Sequence, residues 1–290
     1  MQRALKYLFI LLLISCNSQG NNSNKKTITV SIPPFKYFIE AIGSEDFNVN
    51  VMVPAGANPH IYEPIPGQIA ALRKSVAFIS DGYLGFEMTW LDRFYETNRS
   101  MKRLSLGDHI DLIKAVGHSD NGHIEGVDPH YWVSPTCAMV MAISVKDLLC
   151  ELKPENREKY EQNYSKLIET ISVIDQKAKD LFSGLKGRSF MIFHPTLGYF
   201  ARDYGLNQIA VENEGKEPTP STLKDLIDNA RSQNLKVIFV QKEYDTRNAR
   251  AIASETGSVI ETIDPLSENW PGSMMEIINE VHKSLVESMK

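Results

Sequence analysis

The longest regular pattern in the chain covers residues 154–183, where Tyr160, Tyr164, Leu167, Ile168, Ile171, Ile174, Ala178 and Leu181 recur at steps of three and four. That spacing places them on one face of an α-helix. Pro154 suits a first helical turn, Glu155 and Glu158 complement the positive end of the helix dipole, and Gly184 and Gly187 supply the stop. A helix of this length spans roughly 45 Å, enough to run along a whole domain. Shorter apolar runs alternate with helical patterns on both sides of it. Before it, strands are predicted at 27–32, 49–53, 76–80 and 102–106, and helices at 35–42, 67–74, 87–95 and 134–152, the last with Ser134 as N-cap and Pro135 at the first helical position. After it come strands at 188–193, 208–211, 236–240 and 258–263, with helices at 196–204, 220–232, 246–256 and 273–289. The repeated alternation predicts an α/β fold: two open lobes with mostly parallel sheets, residues 27–153 and 185–290, joined by the connecting helix 154–184.

Composition agrees with two cores, since 290 residues with 42% hydrophobic content can bury that much. A net charge of −5 with no basic block excludes nucleic acid as a partner. The first 15 residues stand apart from both lobes. Arg3 and Lys6 precede an apolar run too short to span a bilayer, and Leu13-Ile14-Ser15-Cys16 follows, so residues 1–15 read as a signal peptide. The motif resembles the lipobox of bacterial lipoproteins, which implies lipidation at Cys16. Residues 16–26, ending in NSQGNNSNKK, would then be a flexible tether with a reach of roughly 15–20 Å. Cys137 and Cys150 lie in one predicted helix about 20 Å apart along its axis, too far to bond to each other.

In open α/β sheets, ligands gather beyond the carboxyl ends of the strands. Polar chemistry in this chain falls there. His60 follows the second strand, His194 follows the strand at 188–193, Asp264 follows the strand at 258–263, and His130 precedes the helix that Ser134 caps. Each residue alone is better explained as an ordinary loop side chain. Together, two from each side of the long helix, they make a complete tetrahedral shell of three imidazoles and a carboxylate, for which zinc is the natural occupant. Pro59, Pro129, Pro195 and Pro265 stiffen the four loops, and Asp128 is placed to hold one imidazole in its ligating tautomer.

These residues also carry a family resemblance. Pro54-Ala55-Gly56-Ala57-Asn58-Pro59-His60-Ile61-Tyr62-Glu63-Pro64, Asp128-Pro129-His130-Tyr131-Trp132, His194 with Gly198-Tyr199-Phe200-Ala201-Arg202-Asp203-Tyr204-Gly205-Leu206, Glu217-Pro218 and Asp264-Pro265-Leu266 resemble the zinc/manganese substrate-binding proteins of bacterial ABC transporters. The resemblance runs from about residue 27 to the C-terminus. It implies a metal ion held between two lobes at His60, His130, His194 and Asp264, delivered to a membrane permease. It also implies zinc as the cargo, with manganese the alternative, because manganese-preferring members usually carry Glu where this chain has His194. An extracytoplasmic, membrane-anchored monomer in the periplasm or on the cell surface is the expected form.

The loop at 107–127 departs from the zinc members, many of which have a long His- and acid-rich segment there; here it holds His109, His118 and His123. His118 and His123 are candidates for an auxiliary collecting site, and a solvated loop explains them equally well. A hydrolase reading fails on two counts: four protein ligands leave no open position for water, and no HExxH segment is present. A surface adhesin whose metal only locks the lobes together is the remaining alternative.

Overall fold

The computed structural model describes residues 25–114, 126–212 and 217–290. Cys16, the leader, His118 and His123 lie outside those residues. The first half contains β1 (Lys26–Val30), α1 (Pro33–Gly43), β2 (Phe47–Val51), α2 (Pro66–Leu72), β3 (Ser75–Ser80), α3 (Gly85–Thr97), β4 (Lys102–Ser105) and α4 (Pro135–Leu152). The long helix α5 (Arg157–Phe182) follows. The second half contains β5 (Ser189–Ile192), α6 (Gly198–Tyr204), β6 (Asn207–Ala210), α7 (Pro220–Ser232), β7 (Val237–Gln241), α8 (Arg247–Thr256), β8 (Val259–Ile263) and α9 (Trp270–Glu287).

Each half folds its four strands into one parallel sheet, in the orders β2-β1-β3-β4 and β6-β5-β7-β8. The two orders are the same topology repeated. In each, the chain direction of winding reverses between the two central strands, and the crevice at that switch point is where such sheets bind ligands. Strand β5 shows why both faces are buried: Phe190 and Ile192 join one hydrophobic cluster and Met191 and Phe193 another, as alternation along a parallel strand requires.

The larger cluster is continuous across the halves, taking in Phe38 and Phe78 from the first and Phe190, Phe239 and Ile277 from the second. Helix α5 runs through its middle, with Tyr160, Leu167, Ile171, Ile174, Ala178 and Phe182 buried against neighbouring elements. The expected helical face is therefore present, but the element is shorter than its pattern. Pro154–Asn156 form a separate 3-10 turn, because neither Lys153 nor Asn156 caps a helix start with its side chain. The remaining 26 residues span about 39 Å.

Two other starts are informative. Ser134 caps α4 as expected, its side chain accepting from the Cys137 N–H, a contact of the kind that stabilises a helix by about 1 kcal/mol. Helix α9 begins earlier than its apolar pattern, at Trp270, because the Asn269 side chain accepts from the Gly272 N–H and Pro271 fits the first turn. Cys137 and Cys150 are both free and buried.

Candidate metal centre

The first histidine sits in the β2–α2 loop. Gly56 adopts a left-handed conformation (φ 81°), Ala57 N–H donates to Pro54 O, and His60 N–H donates to Asn58 Oδ1 at 2.8 Å. The start of α3 presses against this loop: Phe86 N–H donates to Pro59 O. Gly85 is required there, since a Cβ on it would collide with the His60 carbonyl.

The second histidine is fixed by Asp128. Its Oδ1 accepts from the His130 backbone N–H at 2.9 Å and bonds His130 Nδ1 at 2.7 Å. Tyr199, from the other half, donates to the Asp128 carbonyl at 2.6 Å, and Gly198 leaves room for the Asp128 carboxylate. Behind the loop, Tyr131 donates to Asp81 O at 2.7 Å. Asp81 and Glu87 are buried together there, with Glu87 accepting from Ser31, Asp81 N–H and Gly82 N–H. Burial drives both carboxyls above their usual range, and for Asp81 the adjacent Glu87 adds to it.

The third histidine leaves the end of β5. Gln241, the last residue of β7, clamps its backbone: Nε2 donates to His194 O at 2.8 Å and Oε1 accepts from His194 N–H at 3.3 Å. Glu212 bonds His194 Nδ1 at 3.2 Å, and the Tyr244 ring stacks on the imidazole at 4.3 Å.

These three loops bring three Nε2 atoms to one point: His60 to His130 at 3.0 Å, His194 to His60 at 3.1 Å and His194 to His130 at 3.1 Å. Carboxylates at two of the Nδ1 positions hold the proton on that nitrogen and turn the Nε2 lone pair inward. Lone pairs so close repel one another, and a cation among them removes the conflict. Nitrogens about 2.0–2.1 Å from a tetrahedral zinc lie about 3.3–3.4 Å apart, so a few tenths of an ångström of spreading would admit the ion. His130 and His194 are buried, and burial pushes the His60 imidazole down to about 2, with the neighbouring His130 and His194 rings adding to the effect. Burial lowers His194 as well, against the opposing pull of Glu212. Both rings are therefore neutral and ready to ligate near pH 7.

Asp264 is not part of this group. It follows β8 as expected, but its Oδ2 is paired with Lys242 Nζ at 2.7 Å and its Oδ1 accepts from Leu266 N–H at 3.2 Å. Lys242 escaped the sequence reading, since nothing in a lone lysine after a strand marks it as the partner of a residue 22 positions on. Glu212 also escaped it, although it obeys the strand-end rule, following β6 by two residues. Asp128 takes the orienting position the sequence suggested.

A family model described as zinc-uptake complex component A, periplasmic (ZnuA), matches residues 28–287. The chain belongs to the ZnuA family. A crystal structure of ZnuA superposes with a TM-score of 0.84 at 37% identity, covering 90% of this chain and 99% of that one. A zinc-bound ZnuA deletion mutant gives 0.83 at the same identity, covering 90% and 98%. The zinc-binding lipoprotein AdcA of Streptococcus pneumoniae is 26% identical over 274 residues, 90% of this chain and 54% of AdcA. The chain thus spans about half the length of these curated relatives. The two-lobed α/β architecture is that of its ZnuA relatives, with His60 in the loop after β2, His194 directly after β5 and His130 in the loop ahead of α4.

Proposed function

We propose that this ZnuA-family chain captures one divalent cation, zinc in preference to manganese, between its two halves and delivers it to the permease of an ABC transporter. The observation that carries this reading is the triangle of Nε2 atoms from His60, His130 and His194, with carboxylates behind His130 and His194. Imidazole suits zinc, whereas manganese favours carboxylate and water oxygens. The zinc-bound ZnuA relative and the zinc-binding AdcA favour the same cargo. Residues 27–153 and 185–290 act as the two metal-binding lobes, with 154–184 the connecting helix. A carboxylate oxygen closes the fourth position, so the centre carries an ion rather than activating water.

The chain works outside the cytoplasm as a monomer, tethered through a lipid at Cys16 once residues 1–15 are removed. Its rigid link between lobes is well suited to the task. Trp132 Nε1–H donates to Pro265 O at 2.9 Å and Trp270 Nε1–H donates to Trp132 O at 2.7 Å, so the two lobes exchange indole hydrogen bonds directly beside the site. Affinity then depends on small loop movements, and the permease releases the ion by disturbing the loops of one lobe.

Competitive titration of the metal-free protein tests this reading. One zinc per chain, bound reversibly by a protein that stays folded on chelation and displacing manganese, is the expected result. Tighter manganese binding would overturn the cargo assignment. Unfolding on chelation would make the metal a structural lock instead.

A further inference from the structure

The loop that carries His130 belongs to the first half, yet a helix of the second half holds it. Helix α6 starts at Gly198, shortly after His194, and reaches across to the segments on either side of His130. Arg202 donates to Asp111 O at 2.7 Å, and the Ser134 hydroxyl donates to Asp203 Oδ2. The Tyr199 hydroxyl makes the central contact. It accepts from Ile113 N–H at 3.0 Å and donates to Asp128 O at 2.6 Å, so one oxygen joins two chain segments. Those segments also pair with each other, Asp128 N–H donating to Ile113 O at 2.8 Å. Tyr199 is fully buried, with its ring edge-on to Tyr131 at 6.2 Å. At its other end α6 is tied to the third histidine: Gln241 Nε2, which donates to His194 O, also donates to Thr196 Oγ1 at 2.8 Å. The fit at Asp128 is close, since a Cβ on Gly198 would stand 2.5 Å from Asp128 Oδ2.

We propose that Tyr199 is a positioning residue for the metal centre: its hydroxyl, with the bare Gly198 beside it, sets Asp128 where the carboxylate meets His130 Nδ1, and so registers His130 of one half against His194 of the other. This rests on the metal-capture reading above. Asp128 Oδ1 serves both the backbone N–H and the ring of His130, so a displaced Asp128 turns the imidazole. Groups that form such a centre must be held to within about 0.5 Å of their working positions. Without the hydroxyl, the Ile113 N–H and the Asp128 carbonyl each lose a buried partner, and the segment shifts to satisfy them elsewhere. Tyr204, on the same helix, supplies the contrast. Its equally buried hydroxyl donates to Asp175 Oδ1 at 3.0 Å and holds α6 to α5 instead.

Zinc competition titrations of the full chain test the proposal, with thermal melts of each chelated variant alongside. Tyr199→Phe and Gly198→Ala should each weaken zinc by about five- to tenfold, just under the 10–100-fold that loss of a directly orienting partner costs. Tyr204→Phe should lower the melting temperature as much as Tyr199→Phe does, yet keep zinc affinity within about twofold of wild type. Because Tyr199 acts through Asp128, adding Tyr199→Phe to Asp128→Asn should cost less than about twofold beyond Asp128→Asn alone. Wild-type zinc affinity in Tyr199→Phe or in Gly198→Ala would overturn the proposal. An equal loss in Tyr204→Phe would also overturn it, as would a full further loss from Tyr199→Phe on top of Asp128→Asn. Zinc binding that survives His130→Ala would overturn the metal-capture reading itself. Loss in His130→Ala with none in Tyr199→Phe overturns only the role of Tyr199.

Discussion

Replacing Asp128 with Asn probes the centre without touching a ligand atom. The carboxylate oxygen Oδ1 bonds both the backbone N–H and Nδ1 of His130, at 2.9 and 2.7 Å. An ionised carboxylate can only accept, so Nδ1 must carry the proton and Nε2 must present its lone pair to the other two imidazoles. Asn keeps the shape but can turn its NH₂ toward Nδ1, which favours the opposite tautomer and puts a proton on Nε2 where the ion belongs. Loss of such an orienting partner typically costs 10–100-fold in metal affinity. At about 1.4 kcal/mol per factor of ten, that is about 1.4–2.8 kcal/mol of binding free energy. The assay is competition against a chromophoric chelator at pH 7.5, with circular dichroism melts of the metal-free proteins to confirm an unchanged fold. An affinity within twofold of wild type, in a protein that melts normally, would refute the claim that Asp128 sets the His130 tautomer.

Three further outcomes follow from the same geometry. Zinc at 1,000 times its dissociation constant should stabilise the fold by about 4 kcal/mol, which for a chain of this size raises Tm by roughly 8–16 °C over the chelated protein; a shift under about 2 °C in differential scanning fluorimetry would contradict specific binding to the native state. Two ordinary imidazoles would cost about 70-fold in zinc affinity between pH 7.0 and 5.5. Because His60 and His194 are both depressed, the loss over that interval should be under about tenfold after correcting for the chelator, and a 50-fold loss would contradict the burial of the site. The same depression acts on folding: the unfolded chain takes up protons below about pH 6.5 while the buried rings do not, so these two groups contribute stability that is present above that pH and is lost as pH falls toward the folded values. Small-angle scattering should give a radius of gyration of about 19 Å, changing by less than about 1 Å on zinc binding; a larger contraction would mean that the Trp132–Trp270 contacts between lobes open in the free protein.

Periodicity made most of the architecture legible. The three- and four-residue spacing of Tyr160, Leu167, Ile171 and Ile174 marked α5, and alternating strand and helix patterns marked both sheets. Where boundaries moved, local hydrogen bonding decided against the apolar pattern, as at Asn269, whose side chain starts α9 ahead of its first periodic residue. His60 and His194 were legible because the strand-end rule depends only on topology, and topology follows from pattern; His130 was legible from its place just ahead of the helix that Ser134 caps. The carboxylates were harder. Asp128 lies two residues from the histidine it orients, so proximity in sequence betrayed it, whereas Glu212 lies 18 residues from His194 and Lys242 lies 22 from Asp264. Those pairings depend on the register of β6 against β5 and β7 against β8, which no single-strand pattern reveals. The apolar face of α5 was legible in the same way, but its cover, a core shared by both halves, was not. Apolar periodicity shows that a face is covered without showing by what.

X-ray absorption at the zinc edge of the loaded protein addresses the triad most directly, because it counts and identifies the donors. Three imidazole nitrogens at about 2.0–2.1 Å with one carboxylate oxygen at about 2.0–2.2 Å are the expected shell. Fewer than three imidazoles, or a sulfur scatterer near 2.3 Å, would contradict a centre built from His60, His130 and His194.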